Sequence, residues 1–388
     1  MKKNLISKKI LKSIQTTIGS KNINYFLHEP NLNKNDNKMV NKCINSKFVS
    51  TVGKFSDLFS KELKKFTKAR YVLCLNNGTS ALHLAIKVLG VKKNEEILLP
   101  SLTFVATGNA ILYNNAIPHF IEVDNNLLID LNKLENYLNK NTFLKNGKCF
   151  NKNSLRVIKA IIPLHIFGHI CNMTKLKKIA KKFKLLIVED AAEALGSYYK
   201  GKHAGTFGKV GILSFNGNKI ITTGMGGALL TDDKKIYNRA NYLAAQAKQK
   251  SKWEYIYNEI GYNYKLASIN AALGLSQLNR ILKLINSKRD LYKKYLNSFK
   301  NIKEVRVLNE PKNCKSNYWL NTIILSKEIS SYQKQIIKLC YKKNIFIRPI
   351  WKPLHQLNHF KNFPKMEMKL TNQMAKSVIN LPSSSFIK

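Results

Sequence analysis

The chain has 388 residues, 44% of them hydrophobic and 10% aromatic, which suits a large core spread over two domains and excludes a disordered chain. No apolar run approaches the roughly 20 residues of a membrane-spanning helix, and the basic N-terminal stretch lacks the apolar core and cleavage site of a signal peptide. The net charge of +44 invites a nucleic-acid partner, yet only seven of the 66 basic residues are arginines and the 59 lysines are scattered along the whole chain. A reader of base edges clusters its charge and favours arginine. A compositional drift toward Lys, Asn and Ile accounts for the charge, and no specific nucleic-acid binding is expected.

In chain order, Tyr71–Leu75 is a short apolar run bounded by polar residues and reads as a buried strand, followed by a helical stretch from Ser80 to Leu89. Glu96–Pro100, Ile158–Pro163 and Leu185–Val188 repeat the strand pattern, with a helix from Lys175 to Phe183 before the last. Strands alternating with helices imply βαβ units and a mostly parallel sheet, hence an α/β large domain. A helical stretch from Leu266 to Ile285 follows. Beyond it, strand-like Trp319–Leu325, a helix near Ser331–Lys342 and strand-like Ile345–Ile350 indicate a smaller α+β domain. The expected division is an N-terminal segment over 1–35, a large domain over 36–285 and a small C-terminal domain over 286–388. The six cysteines, Cys43, Cys74, Cys149, Cys171, Cys314 and Cys340, form no CxxC pair. They read as reduced, buried thiols of a cytoplasmic protein, and no metal site is expected.

Four segments carry chemistry. Asn77-Gly78-Thr79-Ser80 places hydroxyls and backbone N–H groups where a strand turns into a helix, a natural phosphate cradle and equally an ordinary helix cap. Ser101 to Thr107 sets Phe104 at a strand end, where an aromatic ring could stack on a planar cofactor or fill the core. Val188-Glu189-Asp190-Ala191-Ala192-Glu193 puts acids at the end of a parallel strand, where open α/β sheets bind ligands; a helix cap is the plainer alternative for Asp190. Ser214 to Lys219, followed by the Gly-rich Thr222 to Gly227, holds one lysine in a small polar loop with room for a bound aldehyde.

In this order and spacing the four segments resemble the sugar-nucleotide aminotransferases of the DegT-like family, pyridoxal-phosphate (PLP) enzymes of fold type I. Further matches run from Leu27-His28-Glu29-Pro30 through Val49 to Phe55, Pro163 to His169, Gly261 to Lys265, Ser316 to Asn321 and Arg348 to His355, ending at Leu381-Pro382-Ser383-Ser384. The resemblance implies that Lys219 is the Schiff-base lysine and that Asp190 pairs with the pyridine nitrogen. It implies that Phe104 stacks on the ring, that Thr79, Ser80 and Ser214 hold the phosphate, and that Glu193 lies beside the ring hydroxyl. Asn263 is implied to reach the phosphate in the neighbouring subunit, making a homodimer with shared active sites. The implied reaction moves an amino group from glutamate to C4 of a nucleotide-linked 4-keto-6-deoxy sugar, in the branch that makes 4-amino-4,6-dideoxy-N-acetyl sugars.

The sequence departs from the family at Lys265, where relatives often carry Arg. It also departs after Ser384, where relatives usually add a helix, so an incomplete or rearranged small domain is expected. Two alternatives stand beside this reading. One is a PLP sugar dehydratase, in which His replaces the lysine; retention of Lys219 argues against it. The other is a basic regulatory or nucleic-acid-binding protein that kept the fold without turnover.

Overall fold

The computed structural model describes residues 2–19 and 23–387; whatever the sequence implies for Met1, residues 20–22 and Lys388 lies outside the described residues. The strands, in chain order, are Tyr71–Leu75 (β1), Glu96–Pro100 (β2), Ile117–Ile121 (β3), Thr142–Lys145 (β4), Lys148–Asn151 (β5), Val157–Ile161 (β6), Leu186–Asp190 (β7), Tyr198–Tyr199 (β8), Lys202–His203 (β9), Val210–Ser214 (β10) and Gly227–Thr231 (β11). Val305–Val307 (β12), Cys314–Lys315 (β13), Asn321–Leu325 (β14), Arg348–Pro349 (β15) and Val378–Leu381 (β16) complete the series.

The main sheet has the order β1-β11-β10-β7-β6-β2-β3. From β10 to β3 every neighbouring pair is parallel, while β11 runs antiparallel to both β1 and β10. Parallel strands are covered on both faces, so they read as nearly continuous apolar runs, and Leu73, Leu75, Ile97 to Leu99, Val188, Ile212 and Leu213 are all buried. The topology fixes which edge carries chemistry. β7 and β10 end side by side at Asp190 and Ser214, β2 ends on the same edge at Pro100 with β6 between it and β7, and β1 leads from that edge into the helix Gly78–Val88. Ligands of open α/β sheets bind beyond such carboxyl ends.

The last third of the chain builds an antiparallel sheet of order β12-β14-β16-β15. Ile323, Ile379 and Leu381 from this sheet share a second core with Ile10, Ile14, Tyr295, Phe299 and Ile336. The N-terminal helix Lys2–Ile18 therefore packs on this smaller module. The helix Ile281–Phe299 belongs to both cores, giving Ile281, Leu284 and Ile285 to the first and Leu291, Tyr295 and Phe299 to the second.

Two sequence expectations need correction. The single helical stretch over Leu266–Ile285 is two helices, Ser268–Leu278 and Ile281–Phe299. Arg280 sits between them, with its guanidinium 2.5 Å from Asp36 Oδ2 and 2.8 Å from Asn31 Oδ1, and this anchorage to a distant segment turns the chain. Of Ile345–Ile350, only Arg348–Pro349 pairs with β16. Ile345 bridges instead to Tyr25, and past Pro349 the Ile350 N–H still bonds to Val378 O at 3.3 Å.

One small-module residue stitches the two parts together beside the sheet edge. Asn317 is fully buried, and its side-chain amide donates to the carbonyls of Glu193 and Leu195, 2.9 Å each. Gly168 makes room for it: its φ is +96°, and a Cβ there would overlap Asn317 Oδ1.

Candidate active site

Beyond the strand ends lies a cavity of about 480 Å³, within the size range of small-molecule sites. Along β7 successive side chains point to opposite faces, and the adjacent acids Glu189 and Asp190 take different tasks. Glu189 is fully buried, faces His165 Nε2 at 2.9 Å and accepts backbone N–H bonds from Gly205, Phe207 and Gly208 at 2.5–2.8 Å. It anchors the loop before β10. Asp190 lines the cavity. Thr107 Oγ1 donates to its Oδ2 at 2.7 Å and the Ala192 N–H to its Oδ1 at 3.2 Å. Burial raises the Asp190 pKa, and these two bonds together with the Lys219 charge oppose the rise.

Glu193 follows one short turn later. Its Oε2 accepts the Phe167 N–H at 2.8 Å, and its Oε1 lies 3.7 Å from Lys219 Nζ. Burial pushes this carboxyl up to about 7, against the pull of the Lys219 charge. Lys219 sits in a loop closed upon itself: Phe215 N–H bonds to Gly226 O, Thr223 N–H to Phe215 O and Lys219 N–H to Asn216 O, all at 2.8–2.9 Å. Its side chain is 14% exposed. Burial lowers its pKa, opposed first by Glu193 and then by Asp190. On its other side the amine stands 3.9 Å from the ring centre of Trp319.

Another part of the cavity wall is the N-terminal end of a helix. Asn77 caps the helix Gly78–Val88, its Oδ1 accepting the Ser80 N–H at 2.7 Å. First-turn N–H groups have no partner within their own helix, and the helix dipole adds positive potential there. Thr79, Ser80 and Ser214 line this end. The close approach of β11 depends on Gly227, where a Cβ would come within 2.6 Å of the Asn77 carbonyl. Phe104 stands half exposed at the mouth, its ring 6.3 Å from that of Trp351.

The fold thus gathers Thr79, Ser80, Phe104, Asp190, Glu193, Ser214 and Lys219 around one cavity. Asn263 is not among them. It is exposed, its backbone pairs with Ala245, and its carbonyl accepts a 3.3 Å bond from Asn76 Nδ2. Lys265 donates to Asn241 Oδ1 at 2.7 Å. Thr107, Trp319 and Trp351 line the cavity without having been singled out in the sequence. Thr107 closes the same segment as Phe104, and the two tryptophans lie in the family-like segments Ser316 to Asn321 and Arg348 to His355 without being assigned a role there. Among the described residues, no three His, Cys, Asp or Glu side chains group to hold a metal ion, and no helix is long and apolar enough to cross a membrane.

Comparison with known proteins places this geometry among relatives. The profile of the DegT/DnrJ/EryC1/StrS aminotransferase family matches residues 30–388. The chain is 33% identical over 361 residues to GDP-perosamine synthase of Escherichia coli O157:H7, covering 92% of each chain. It is 30% identical over 359 residues to a UDP-4-amino-4,6-dideoxy-N-acetyl-beta-L-altrosamine transaminase of Helicobacter pylori, covering 91% of each. Among solved structures, Helicobacter pylori PseC, an aminotransferase involved in pseudoaminic acid biosynthesis, superposes with a TM-score of 0.86 at 28% identity, over 94% of this chain and 95% of that one.

Glu193 gives the site a pH signature. Its folded value near 7 lies above the 4.5 of a free glutamate, so the folded chain holds a proton that the unfolded chain releases. That contribution to stability is complete below about 4.5 and is lost as pH rises through about 7. Between about pH 5 and 8 the cofactor-free protein is expected to lose stability relative to Glu193→Gln, by on the order of 1–3 kcal/mol. Urea unfolding midpoints of the two proteins across pH provide the check, and a flat or inverted difference contradicts the assignment.

Proposed function

The chain belongs to the DegT/DnrJ/EryC1/StrS aminotransferase family, and on that premise we propose that it moves the amino group of glutamate to C4 of a UDP-linked 4-keto-6-deoxy N-acetyl sugar, for surface-glycan or nonulosonate biosynthesis. The observation that carries the reading is the pairing, in one cavity, of the enclosed Lys219 amine beside Glu193 with the buried Asp190 carboxylate at the end of β7. The substrate class is supported by a relative named UDP-4-amino-4,6-dideoxy-N-acetyl-beta-L-altrosamine transaminase and by the resemblance of the Leu27 to Pro30, Ser316 to Asn321 and Arg348 to His355 segments to the branch that makes 4-amino-4,6-dideoxy-N-acetyl sugars.

The residues fit PLP. A buried carboxylate is costly unless it meets a cation, and Asp190, with two donors already bound, has acceptor capacity left for a protonated pyridine nitrogen. Thr79, Ser80, Ser214 and the helix end offer hydroxyl and N–H donors for a phosphate, and a side chain at position 227 would press on the Asn77–Gly78 backbone that shapes this turn. Phe104 supplies an aromatic face at the mouth. When bound, the cofactor supplies a carbonyl that takes up the amino group and a ring that withdraws electrons from the adjacent carbon.

The chain's own groups do the rest. Asp190 would hold the protonated pyridine nitrogen of the cofactor by its charge. The Lys219 amine, when free, would take the proton from the amino-bearing carbon of the donor and, in the second half-reaction, deliver a proton to C4 of the sugar, a general acid–base task for which a lowered pKa suits it. Glu193, 3.7 Å away, takes up or releases the compensating proton. Glutamate and keto sugar use the same cavity in turn, which gives ping-pong kinetics.

The working unit in this reading is a homodimer in which Asn263 serves the neighbouring subunit's phosphate end. Its exposure supports this, as do the solvent-facing Phe48, Val52, Met225, Trp253, Tyr255 and Ile260, an excess of exposed apolar side chains that suits an interface. The six free cysteines, all buried, suit the cytoplasm, where sugar nucleotides are made. A GDP-linked keto sugar is the second reading, favoured by the 33% identity to GDP-perosamine synthase.

Two experiments test these proposals. Incubation with [15N]glutamate and a panel of UDP- and GDP-linked 4-keto-6-deoxy sugars is expected to place 15N on C4 of a UDP-linked acceptor; label only on GDP-linked sugars establishes the second reading, and label on neither removes the assigned reaction. Mixing an inactive Lys219→Ala chain with an inactive Asn263→Ala chain is expected to restore about a quarter of the wild-type activity, by random pairing with one intact site in each mixed dimer. Once subunit exchange is established, absence of recovery contradicts the shared site.

A further inference from the structure

Trp319 comes from the smaller module, yet it forms one wall around the Lys219 amine. Nζ lies 3.9 Å from the ring centre, well inside the roughly 6 Å reach of a cation–π contact. Trp319 is held at three points, two on its backbone and one on its ring. The Trp319 N–H donates to Asn317 Oδ1 at 2.8 Å, its carbonyl accepts from Lys288 Nζ at 3.0 Å, and its indole N–H donates to the carbonyl of Asn218 at 2.6 Å. The last bond grips the residue next to Lys219. Only 4% of Trp319 is exposed, so little water competes for the amine on that side.

The titratable groups acting on the amine are Glu193 at 3.7 Å, Asp190 at longer range and His28. His28 flanks the other module's wall, its ring 6.5 Å from that of Trp319. Both of its ring nitrogens are buried without a partner. Burial first, then the Lys288 and Lys219 charges, hold its pKa well below the ordinary imidazole value, so it adds no positive charge at neutral pH.

Resting on the reading of Lys219 as the catalytic lysine, we propose that Trp319 is a positioning residue whose ring face receives the free Lys219 ammonium and holds it toward the cavity. An aromatic face attracts the charged amine and not the neutral one. It therefore acts alongside Glu193 and against burial, keeping the amine protonatable when it is not bonded to cofactor. Because Trp319 is fixed by Asn317 and Lys288, the smaller module helps set the basicity of a group on the large one. A purely structural tryptophan would fill the same space without touching the charge.

Fluorination separates the two roles, since it drains the negative ring face while keeping the shape and N–H of the indole. Mono- and trifluorotryptophan are placed at position 319 alone. In the cofactor-free full chain, the pH dependence of Lys219 labelling by an amine-reactive reagent, read by peptide mapping, gives its pKa. The expected result is a stepwise fall with fluorine content, reaching about one unit, or about tenfold in the amine's dissociation constant. Trp319→Leu should fall at least as far, and Trp319→Phe should recover part of the loss. A pKa unmoved by fluorine, in protein of unchanged thermal stability, overturns the proposal whatever the Leu variant does. This outcome is distinct from failure of the underlying reading. Borohydride reduction of the cofactor-loaded wild type marks the cofactor-bearing lysine independently, and a mark elsewhere than Lys219 overturns that reading and the Trp319 role with it.

Discussion

An ammonium drawn out of water needs a partner, and the site is arranged around that need at Lys219. A carboxylate stands on one side of the amine and an aromatic face on the other. The carboxylate is itself buried, so neither member of the Lys219–Glu193 pair keeps its solution proton affinity: the amine is pulled down and the acid is pushed up to about 7. The two groups are displaced toward each other, which narrows the cost of passing a proton between them, as acid–base chemistry at a carbon favours. The Asp190 carboxylate forms no direct ion pair with the amine and is held instead by Thr107 Oγ1 and the Ala192 N–H.

The fold supplies this arrangement through backbone features more than through special side chains. Parallel strands ending side by side bring Asp190 and Ser214 to one edge. The antiparallel insertion of β11 beside β1 brings the Gly-rich loop back to the helix that starts at Gly78, at a separation that Gly227 alone permits. The smaller module does not merely cover the cavity. Asn317 reaches into the Glu193 turn, and Lys288, almost fully buried on the helix shared by both cores, bonds the carbonyls of Trp319 and Ser383. The walls around the amine are thereby tied to the packing of both halves.

Much of this was legible in the sequence because it is local. Buried parallel strands announce themselves as short apolar runs, and Tyr71–Leu75 and Glu96–Pro100 fall where the pattern put them. The turn after β1 and the acid at the end of β7 were readable from spacing, and Lys219 stood out from the other lysines only by its neighbours. What was not legible depends on contacts between distant segments. The break at Arg280 is caused by Asp36 and Asn31, which no helical periodicity can report. Trp319 belongs to an apolar stretch that reads as a strand, and only the meeting of the two modules places its ring against the amine. Nothing in the Ser101 to Thr107 segment reports that Thr107 donates to Asp190, because β7 brings that acid from 83 residues away.

The central claim is that one lysine among 59 carries the cofactor, and that the cavity around it selects that lysine. Borohydride reduction of the cofactor-loaded protein, followed by proteolysis and mass mapping, tests this directly. The account predicts a single pyridoxyl label, on the peptide containing Asn218-Lys219-Ile220. A label on any other lysine, or no label on a protein shown to be loaded, would contradict it.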